Sequence, residues 1–336
     1  MAKNKALLKA NQAKEDEFYT KLGDIENELR HYKTHFKDKI VFCNCDDPET
    51  SNFWRYFYLN FGVLELRKLV TTHYETDKPS YKLEYSMLPD KNGQYTLQVI
   101  RTKLRQNGDF RSQECIEILK EADIIVTNPP FSLFREYVAL MIEYQKSFLI
   151  IGNQNNVTYK EIFPLLRDNK IWLGYYSGDM EFVVPSYYKP RATRYREENG
   201  IKYRSFGNIC WFTNLDIAKR HEDILLYKTY KDNEHEYIKY YNYDAININK
   251  VTDIPVDYFG EMGVPVTFMQ KYNPDQFIII GVGSGYLGQS IGVKGILPEH
   301  KAMMKGHSAA GDLYYIDNGK PKVPFSRIIV KRKIQT

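Results

Sequence analysis

The sequence Asp123-Ile-Ile-Val-Thr-Asn-Pro-Pro-Phe131 decides the fold. Its first five residues form an apolar run that predicts a buried strand, and helical periodicity begins at Leu133. The same alternation continues on both sides, with a helix predicted over 112–122 and another buried strand over 148–151. Strands that alternate with helices of this length predict an α/β fold with a doubly wound, mostly parallel sheet.

Two polar clusters follow apolar runs that predict buried strands. One is Asn128-Pro-Pro-Phe131, and the other is Asn44-Cys-Asp-Asp-Pro48, which follows the run at 40–43. In open parallel sheets, ligands bind just beyond the carboxyl ends of the strands. We therefore expect the two clusters to lie at one edge of the sheet and to form the functional site.

The cluster at 128–131 has the chemistry of a site for a planar amine. Pro129 and Pro130 fix two φ angles and leave rigid carbonyl acceptors, and the amide oxygen of Asn128 is a further acceptor. Two fixed acceptors suit an –NH₂ group, and the ring of Phe131 offers a flat face to a planar ring. A rigid strand-to-helix turn without a ligand is the alternative, because Asn-Pro pairs favour turns.

The composition of the 336-residue chain limits the class of protein. Hydrophobic residues make up 43% of the chain, which allows one large or two smaller domains with a buried core. The sequence contains no run of 18 apolar residues, which a membrane-spanning helix would need. The N-terminus lacks the apolar core of a signal peptide. We therefore expect a cytoplasmic protein without a membrane partner. The four cysteines predict neither a disulfide framework nor a metal site.

The blocks of sequence around Asn128-Pro-Pro-Phe131 resemble one enzyme family, the EcoRI-type adenine-specific DNA methyltransferases, which use S-adenosylmethionine. They keep their order over about residues 15–275. The blocks are Asp16-Glu-Phe-Tyr-Thr20, Asp24-Ile-Glu-Asn-Glu-Leu29, Cys43-Asn-Cys-Asp-Asp-Pro48, Gly108-Asp-Phe-Arg-Ser112, Asp123-Ile-Ile-Val-Thr-Asn-Pro-Pro-Phe-Ser-Leu-Phe-Arg-Glu-Tyr137, Ile171-Trp-Leu-Gly174, Trp211-Phe-Thr-Asn-Leu-Asp216, Tyr243-Asp-Ala-Ile246 and Gly263-Val-Pro-Val-Thr-Phe268. The resemblance implies a sheet of the S-adenosylmethionine methyltransferase type.

The resemblance also implies a role for individual residues. Asn128, Pro129, Pro130 and Phe131 would hold and stack a flipped adenine. The expected contacts to S-adenosylmethionine are Phe18, Tyr19, Thr20, Asn44, Asp46, Asp47, Glu75, Asp109 and Phe110. Of these, Asp109 and Phe110 would flank the adenine of the cofactor, and Glu75 is a candidate for the acid that binds its ribose. The glycine-rich loop that most methyltransferases carry after the first strand is absent here.

Charge and the strand–helix rhythm predict a division of the chain into three parts. Residues 1–14 contain four lysines and no acid and are predicted to form a basic N-terminal arm. Residues 15–230 would be the catalytic domain, and the irregular part at 231–336 would be a target-recognition region. The strand–helix rhythm breaks at about residue 177, and 177–207 is predicted to be a loop or hairpin that faces DNA. The basic side chains expected to bind DNA there are Arg191, Arg194, Arg196, Lys202 and Arg204.

These observations favour a site-specific enzyme that methylates the 6-amino nitrogen of adenine in double-stranded DNA by base flipping. A cognate restriction nuclease is a possible partner, and no stable protein partner is implied. Two alternatives stay open from the residues themselves. The same tetrapeptide geometry would serve an RNA or protein-glutamine methyltransferase, and a catalytically silent DNA-binding decoy could keep the fold.

Overall fold

The computed structural model describes residues 18–45, 47–75, 78–304 and 308–334. They form two compact units. The first contains the described residues up to 156 together with 171–215, and the second contains 157–170 and the described residues from 216 onward. The predicted basic arm at 1–14 and Asp46 lie outside the described residues.

The first unit is built on one large sheet with short helices between its strands. Its strands are β1 Tyr19–Thr20, β2 Ile40–Cys43, β3 Lys68–Thr72, β4 Tyr81–Pro89, β5 Tyr95–Lys103, β6 Ile124–Thr127, β7 Ser147–Asn153, β8 Trp172–Val184, β9 Tyr195–Glu198 and β10 Ile201–Thr213. Its helices are α1 Leu22–Leu29, α2 Asn52–Leu59, α3 Gln113–Glu121 and α4 Phe134–Glu143.

The sheet is mixed rather than mostly parallel. The strand order is β1-β8-β10-β7-β6-β2-β3-β4-β5, with β9 paired to β10. Among the described strands of this sheet, only the pairs β7–β6, β6–β2 and β2–β3 are parallel, and its other pairs are antiparallel. The predicted α/β class is confirmed, whereas the prediction of a doubly wound, mostly parallel sheet is not. The difference arises because strands joined by a tight turn, as in β4–β5, must run antiparallel.

The segment 177–207, predicted to be a loop or hairpin, is mostly strand. Strand β8 continues to Val184, and β10 begins at Ile201 and runs beside it. Asn199 and Gly200 join β9 to β10 with φ values of 50° and 77°, the left-handed pair that a two-residue hairpin turn requires. The segment 177–207 is therefore mostly an antiparallel ribbon that extends from the large sheet.

Local sequence signals fix the helices around the parallel strands. Ser51 caps α2, because its hydroxyl accepts a hydrogen bond from Phe53 N at 3.1 Å. Ser112 caps α3 in the same way, through Cys115 N at 3.3 Å. The strands between these helices are apolar and buried, as the predicted runs at 40–43, 123–127 and 148–151 require.

The buried carboxylate of Glu28 ties α1 to β8. It accepts hydrogen bonds from Tyr175 N at 2.8 Å, from Tyr176 N at 2.7 Å and from the hydroxyl of Tyr32 at 2.8 Å. Buried charges are tolerated only when they are hydrogen-bonded in this way. The N-terminal segment that carries β1 and α1 is thereby held against the ribbon.

The second unit contains a smaller sheet. Its elements are α5 Phe163–Arg167, β11 Ile246–Asn247, β12 Glu261–Pro265, β13 Phe277–Val282, α6 Gly285–Ser290, α7 Pro298–Met303, β14 Tyr315–Asp317, β15 Lys320–Lys322 and β16 Arg327–Arg332. Four strands form a sheet in the order β11-β12-β16-β13, and β14 and β15 form a separate hairpin. The prediction of an irregular C-terminal region is therefore not confirmed. No helix in the described part of the chain is long and apolar enough to cross a membrane.

Candidate active site

The two polar clusters meet at the carboxyl ends of β2 and β6. These strands are neighbours and parallel, so the loops that follow them leave the sheet side by side. The hydroxyl of Thr127, the last residue of β6, donates to the carbonyl oxygen of Asn44. The amide oxygen of Asn44 accepts from the hydroxyl of Tyr137 in α4. Both clusters were predicted to lie at one edge of the sheet, and the structure bonds Asn44 to the residue before Asn128 and to the helix that follows Phe131.

Asn128 has a buried amide oxygen that no group of the described residues satisfies. Its side-chain amide nitrogen donates to the carbonyl oxygen of Phe18 at 2.6 Å. Because a carbonyl oxygen can only accept, this bond fixes the orientation of the amide, and Oδ1 is left without a partner in the described structure. An unsatisfied buried acceptor costs about 1–3 kcal/mol. The site is therefore built to receive a donor hydrogen at this atom.

Phe131 stands beside this acceptor in an aromatic group. Its half-buried ring lies 5.3 Å from the ring of Phe18, 5.9 Å from that of Phe206 and 6.2 Å from that of Phe182. Pro129 is buried, and the carbonyl of Pro130 accepts from Leu133 N at 2.9 Å as the chain turns toward α4. Phe182 and Phe206 were not among the predicted site residues, because they reach the site through the pairing of β8 with β10, which no sequence pattern shows.

The N-terminal segment Phe18–Thr20 lies next to the motif. Phe18 contributes both its carbonyl oxygen and its ring, and the following residues form β1 on the edge of β8. Asn52, at the start of α2, donates to the carbonyl of Thr20 at 2.8 Å. The hydroxyl of Thr20 is buried and has no partner among the described residues. The segment thus offers a second unsatisfied polar atom at the same edge of the sheet.

The loop before α3 is pressed against the end of β3. Gly108 has a φ of 79°, and a Cβ placed on it would lie 1.9 Å from the carbonyl oxygen of His73. On the same side, Glu75 N donates to the carbonyl of Asn107 at 2.8 Å. This close approach brings Asp109 and Phe110 to the end of β3.

Asp109 and Phe110 are held by neighbouring side chains. The Arg111 guanidinium binds both carboxylate oxygens of Asp109, at 2.9 and 2.7 Å. Burial alone would raise the pKa of the Asp109 carboxyl, but the hydrogen bonds from Arg111 outweigh it and hold the pKa below its ordinary value. The ring of Phe110 is buried and stands edge-on to that of Tyr137 at 5.0 Å.

Gly108→Ala is expected to lower the free energy of unfolding by about 2–5 kcal/mol, because the new Cβ is both strained and blocked. Gly93→Ala is the matched control: Gly93 has a similar φ of 77°, but nothing lies within 4 Å of the added atom. It should cost only about 1 kcal/mol. Denaturant unfolding of the two variants measures the difference, and equal losses would show that the close approach to His73 is not a real constraint.

The basic side chains of the ribbon differ in their partners. Arg194 pairs with Asp179 at 2.9 Å, and Arg196 binds Glu181 with two bonds of 2.8 and 2.9 Å. Hydrogen bonds from Arg196, with a further contribution from Lys21, lower the pKa of Glu181 to about 2. Lys202 and Arg204 donate to backbone carbonyls within the ribbon.

Arg191 differs from these four side chains. It is exposed, lies 5.9 Å from the ring of Tyr188, and has no ion pair in the described structure. Of the five basic side chains predicted to contact DNA, Arg191 therefore has the fewest interactions within the described structure.

A parallel four-strand core with an unsatisfied asparagine amide and a phenylalanine at the carboxyl ends of its strands is the arrangement expected of an amino-group methyltransferase. The family profile described as "Adenine-specific methyltransferase EcoRI" matches residues 6–333. The chain therefore belongs to the EcoRI-type family of adenine-specific methyltransferases.

Three relatives agree with this family. The chain is 46% identical to the type II methyltransferase M.EcoRI of Escherichia coli. The alignment spans 316 residues and covers 90% of this chain and 97% of the relative. It is 41% identical to M.MgeORF184P of Mycoplasma genitalium and 40% identical to M.MpnI of Mycoplasma pneumoniae, both also type II methyltransferases, with 81% of this chain and 84% of each relative covered. No solved structure gives a significant match. The predicted family and function, an adenine-specific DNA methyltransferase, are confirmed.

Proposed function

We propose that the chain transfers a methyl group from S-adenosylmethionine to the 6-amino nitrogen of an adenine flipped out of double-stranded DNA. The observation that carries this proposal is the buried, unsatisfied Oδ1 of Asn128 beside the ring of Phe131. An exocyclic amine supplies the missing donor, and the adenine ring supplies the flat partner for Phe131. The amine lies inside the duplex, so the base must be flipped at a cost of a few kcal/mol.

The residues at the edge of the sheet fit S-adenosylmethionine. The cofactor carries an amino group and ribose hydroxyls, which are donors, and Asp47, Glu75 and Asp109 supply carboxylate acceptors there. The unsatisfied hydroxyl of Thr20 can serve the methionine part. Phe110 offers an apolar surface to the adenine of the cofactor. When bound, the cofactor supplies a methyl group on a positively charged sulfur.

The protein then acts by positioning and by electrostatics. Oδ1 of Asn128 accepts one amine hydrogen, which directs the nitrogen lone pair away from the ring plane and increases the electron density on nitrogen. Phe131 holds the ring so that this lone pair keeps its direction. No side-chain nucleophile is needed, because a near-attack geometry alone removes a large part of the barrier.

The remaining parts of the chain have proposed roles in DNA binding. The second unit reads the target sequence, and the ribbon at 177–207 contacts the phosphate backbone. The first role is proposed because the residues that hold one adenine cannot also specify several bases. The second is proposed because the ribbon carries basic side chains, of which Arg191 is exposed and unpaired in the described structure. The type II names of the relatives support a place in a restriction–modification system in the cytoplasm, with a nuclease as a separate partner.

Arg191→Glu is expected to weaken DNA binding by a similar factor for all sequences and to reduce the salt slope of the affinity by about 1, because it removes a phosphate contact. Arg55→Glu is the matched control, since Arg55 is an exposed arginine of α2 without an ion pair in the described structure. Fluorescence anisotropy at several salt concentrations measures both. A salt slope that stays unchanged for Arg191→Glu would remove the ribbon from the DNA-binding surface.

The identity of the substrate is tested by offering DNA, RNA and protein together as methyl acceptors. Purified protein is incubated with radiolabelled S-adenosylmethionine and equal masses of plasmid DNA, total RNA and protein extract. We expect label in DNA, recovered as N6-methyladenine after digestion. Label in RNA or in protein glutamine would favour the alternative methyltransferases, and no label in the presence of cofactor binding would favour the silent decoy.

A further inference from the structure

A histidine that no predicted role uses lies between two of the candidate cofactor-binding carboxylates. His73 follows β3, and its side chain is only 19% exposed. Its Nε2 lies 3.2 Å from Oε1 of Glu75, and its Nδ1 lies 3.6 Å from Oδ1 of Asp47. The two acids come from different loops, one after β2 and one after β3. The imidazole therefore links the loops that follow two adjacent parallel strands.

The backbone and ring of His73 are fixed from several sides. Its N–H donates to the carbonyl of Tyr81 at 3.0 Å, and its carbonyl accepts from the hydroxyl of Ser80 at 2.6 Å while Gly108 packs against it. The hydroxyl of Tyr81 donates to the same oxygen of Asp47, at 3.1 Å, and its ring lies 5.2 Å from the imidazole. The histidine thus cannot turn away without moving the end of β3.

Nε2 of His73 is hydrogen-bonded to Glu75, whereas the buried Nδ1 lies 3.6 Å from Oδ1 of Asp47 and has no hydrogen-bond partner among the described residues. The hydrogen bond from His73 is the largest cause that holds the pKa of Glu75 below its ordinary value. That bond and Lys78, at 3.5 Å, both use Oε1 of Glu75. The second oxygen of Glu75 has no partner among the described residues and can accept donors from a ligand at the carboxyl ends of the strands.

We infer that His73 is a positioning residue of the cofactor site, which orients Glu75 toward the ribose hydroxyls beside the Asp47 loop. The inference rests on the proposed use of S-adenosylmethionine. The ribose is the part of the cofactor that fits, because its two adjacent hydroxyls are donors and a carboxylate is acceptor-only. Ligands of such sheets bind next to the ends of adjacent parallel strands, where β2 and β3 place these two acids.

The inference is tested on the full chain by calorimetry with S-adenosylhomocysteine and with its 2′-deoxy analogue. His73→Phe keeps a flat ring and removes both nitrogens, whereas His73→Gln keeps one donor. We expect His73→Phe to weaken binding of S-adenosylhomocysteine by about 10-fold, the usual order for a lost hydrogen bond to a charged group. We expect it to weaken binding of the 2′-deoxy analogue by less than about three-fold. His73→Gln should recover part of the loss.

His221→Phe is the matched control. His221 also lies between two carboxylates, with Nε2 2.9 Å from Asp216 and Nδ1 3.8 Å from Asp275, but it belongs to the second unit and has no proposed cofactor role. It should leave both affinities unchanged. If His73→Phe does not fold, as judged by its melting curve, His73→Gln carries the test with a smaller expected difference.

The outcomes separate this inference from the proposed function. Equal weakening of the two ligands by the His73 variants, or no weakening of either, would overturn the role of His73 while leaving the cofactor in place. A wild-type chain that binds neither ligand would overturn the proposed cofactor and the inference with it.

Discussion

Asn128→Ala is expected to lower the single-turnover rate constant of methyl transfer to DNA by about 10²–10³-fold, the loss found when one preorganised polar group is removed from a reacting centre. The variant loses the acceptor that holds the amine. It also loses the donor to the carbonyl of Phe18. Because Phe18 begins the segment proposed to contact the cofactor, the affinity for S-adenosylmethionine should also fall, but by less than about 10-fold.

Asn60→Ala controls for the loss of an amide as such. The side-chain nitrogen of Asn60 also donates to a backbone carbonyl, that of Tyr56 at 2.8 Å. Asn60 directly follows the last residue of α2 and lies outside the loops of the site. It should leave the transfer rate unchanged. A transfer rate for Asn128→Ala within a few-fold of the wild type would contradict the assignment of Oδ1 as the amine acceptor.

Phe131→Ala is expected to reduce capture of the flipped base by roughly 5- to 150-fold, because stacking of a base on an aromatic ring is worth about 1–3 kcal/mol. Binding of intact duplex should change much less. Phe131→Trp should keep part of the capture, because a flat face remains. Fluorescence of 2-aminopurine at the target position, with and without enzyme, measures the flipped state.

A melting curve decides between stacking and core packing for Phe131. Its ring is half-buried, with the rings of Phe18, Phe206 and Phe182 at 5.3, 5.9 and 6.2 Å, so its removal should lower the melting temperature less than removal of a fully buried phenylalanine. A core phenylalanine would instead cost about 3–5 kcal/mol of folding stability. A large melting loss with unaltered 2-aminopurine fluorescence would show that Phe131 is a structural residue.

The parallel centre of the sheet could be predicted from the sequence, because its information is local. Each of its strands is a short apolar run that ends in polar residues, and each of its helices has periodicity or a serine cap. The predicted runs at 40–43 and 123–127 therefore match β2 and β6 closely. The contact between Asn44 and Thr127 then follows because β2 and β6 are adjacent parallel strands, whose carboxyl ends lie at the same edge of the sheet.

The hairpin of β9 and β10 has a local signal in Asn199-Gly200, but the pairing of β8 with β1 and β10 could not be predicted. Strand β8 gains its partners from β1 and β10, which are distant in sequence, and β1 has only two residues. Phe182 and Phe206 reach the site only through that pairing. The ion pairs of Arg194 and Arg196 have the same origin, because Asp179 and Glu181 lie on the facing strand. Counting charges along the sequence showed a basic segment but could not show which charges the fold neutralises.

The sequence also could not predict which segments make up the second unit. Residues 157–170 follow β7 and read as an ordinary helix of the catalytic domain, yet they pack with the part of the chain from 216 onward. The role of His73 was missed for a related reason. A single histidine after a strand carries no pattern, and only the fold places Asp47 and Glu75 on its two sides.

Long-read sequencing of genomic DNA from a methylation-deficient host that expresses the chain tests the central claim most directly. If Asn128 supports methyl transfer to adenine as proposed, N6-methyladenine is expected at nearly every genomic copy of one short sequence. Cells that express Asn128→Ala should show no N6-methyladenine at that sequence. Methylation of cytosine, methyladenine spread without a shared sequence, or an equal signal from the Asn128→Ala variant would contradict this claim.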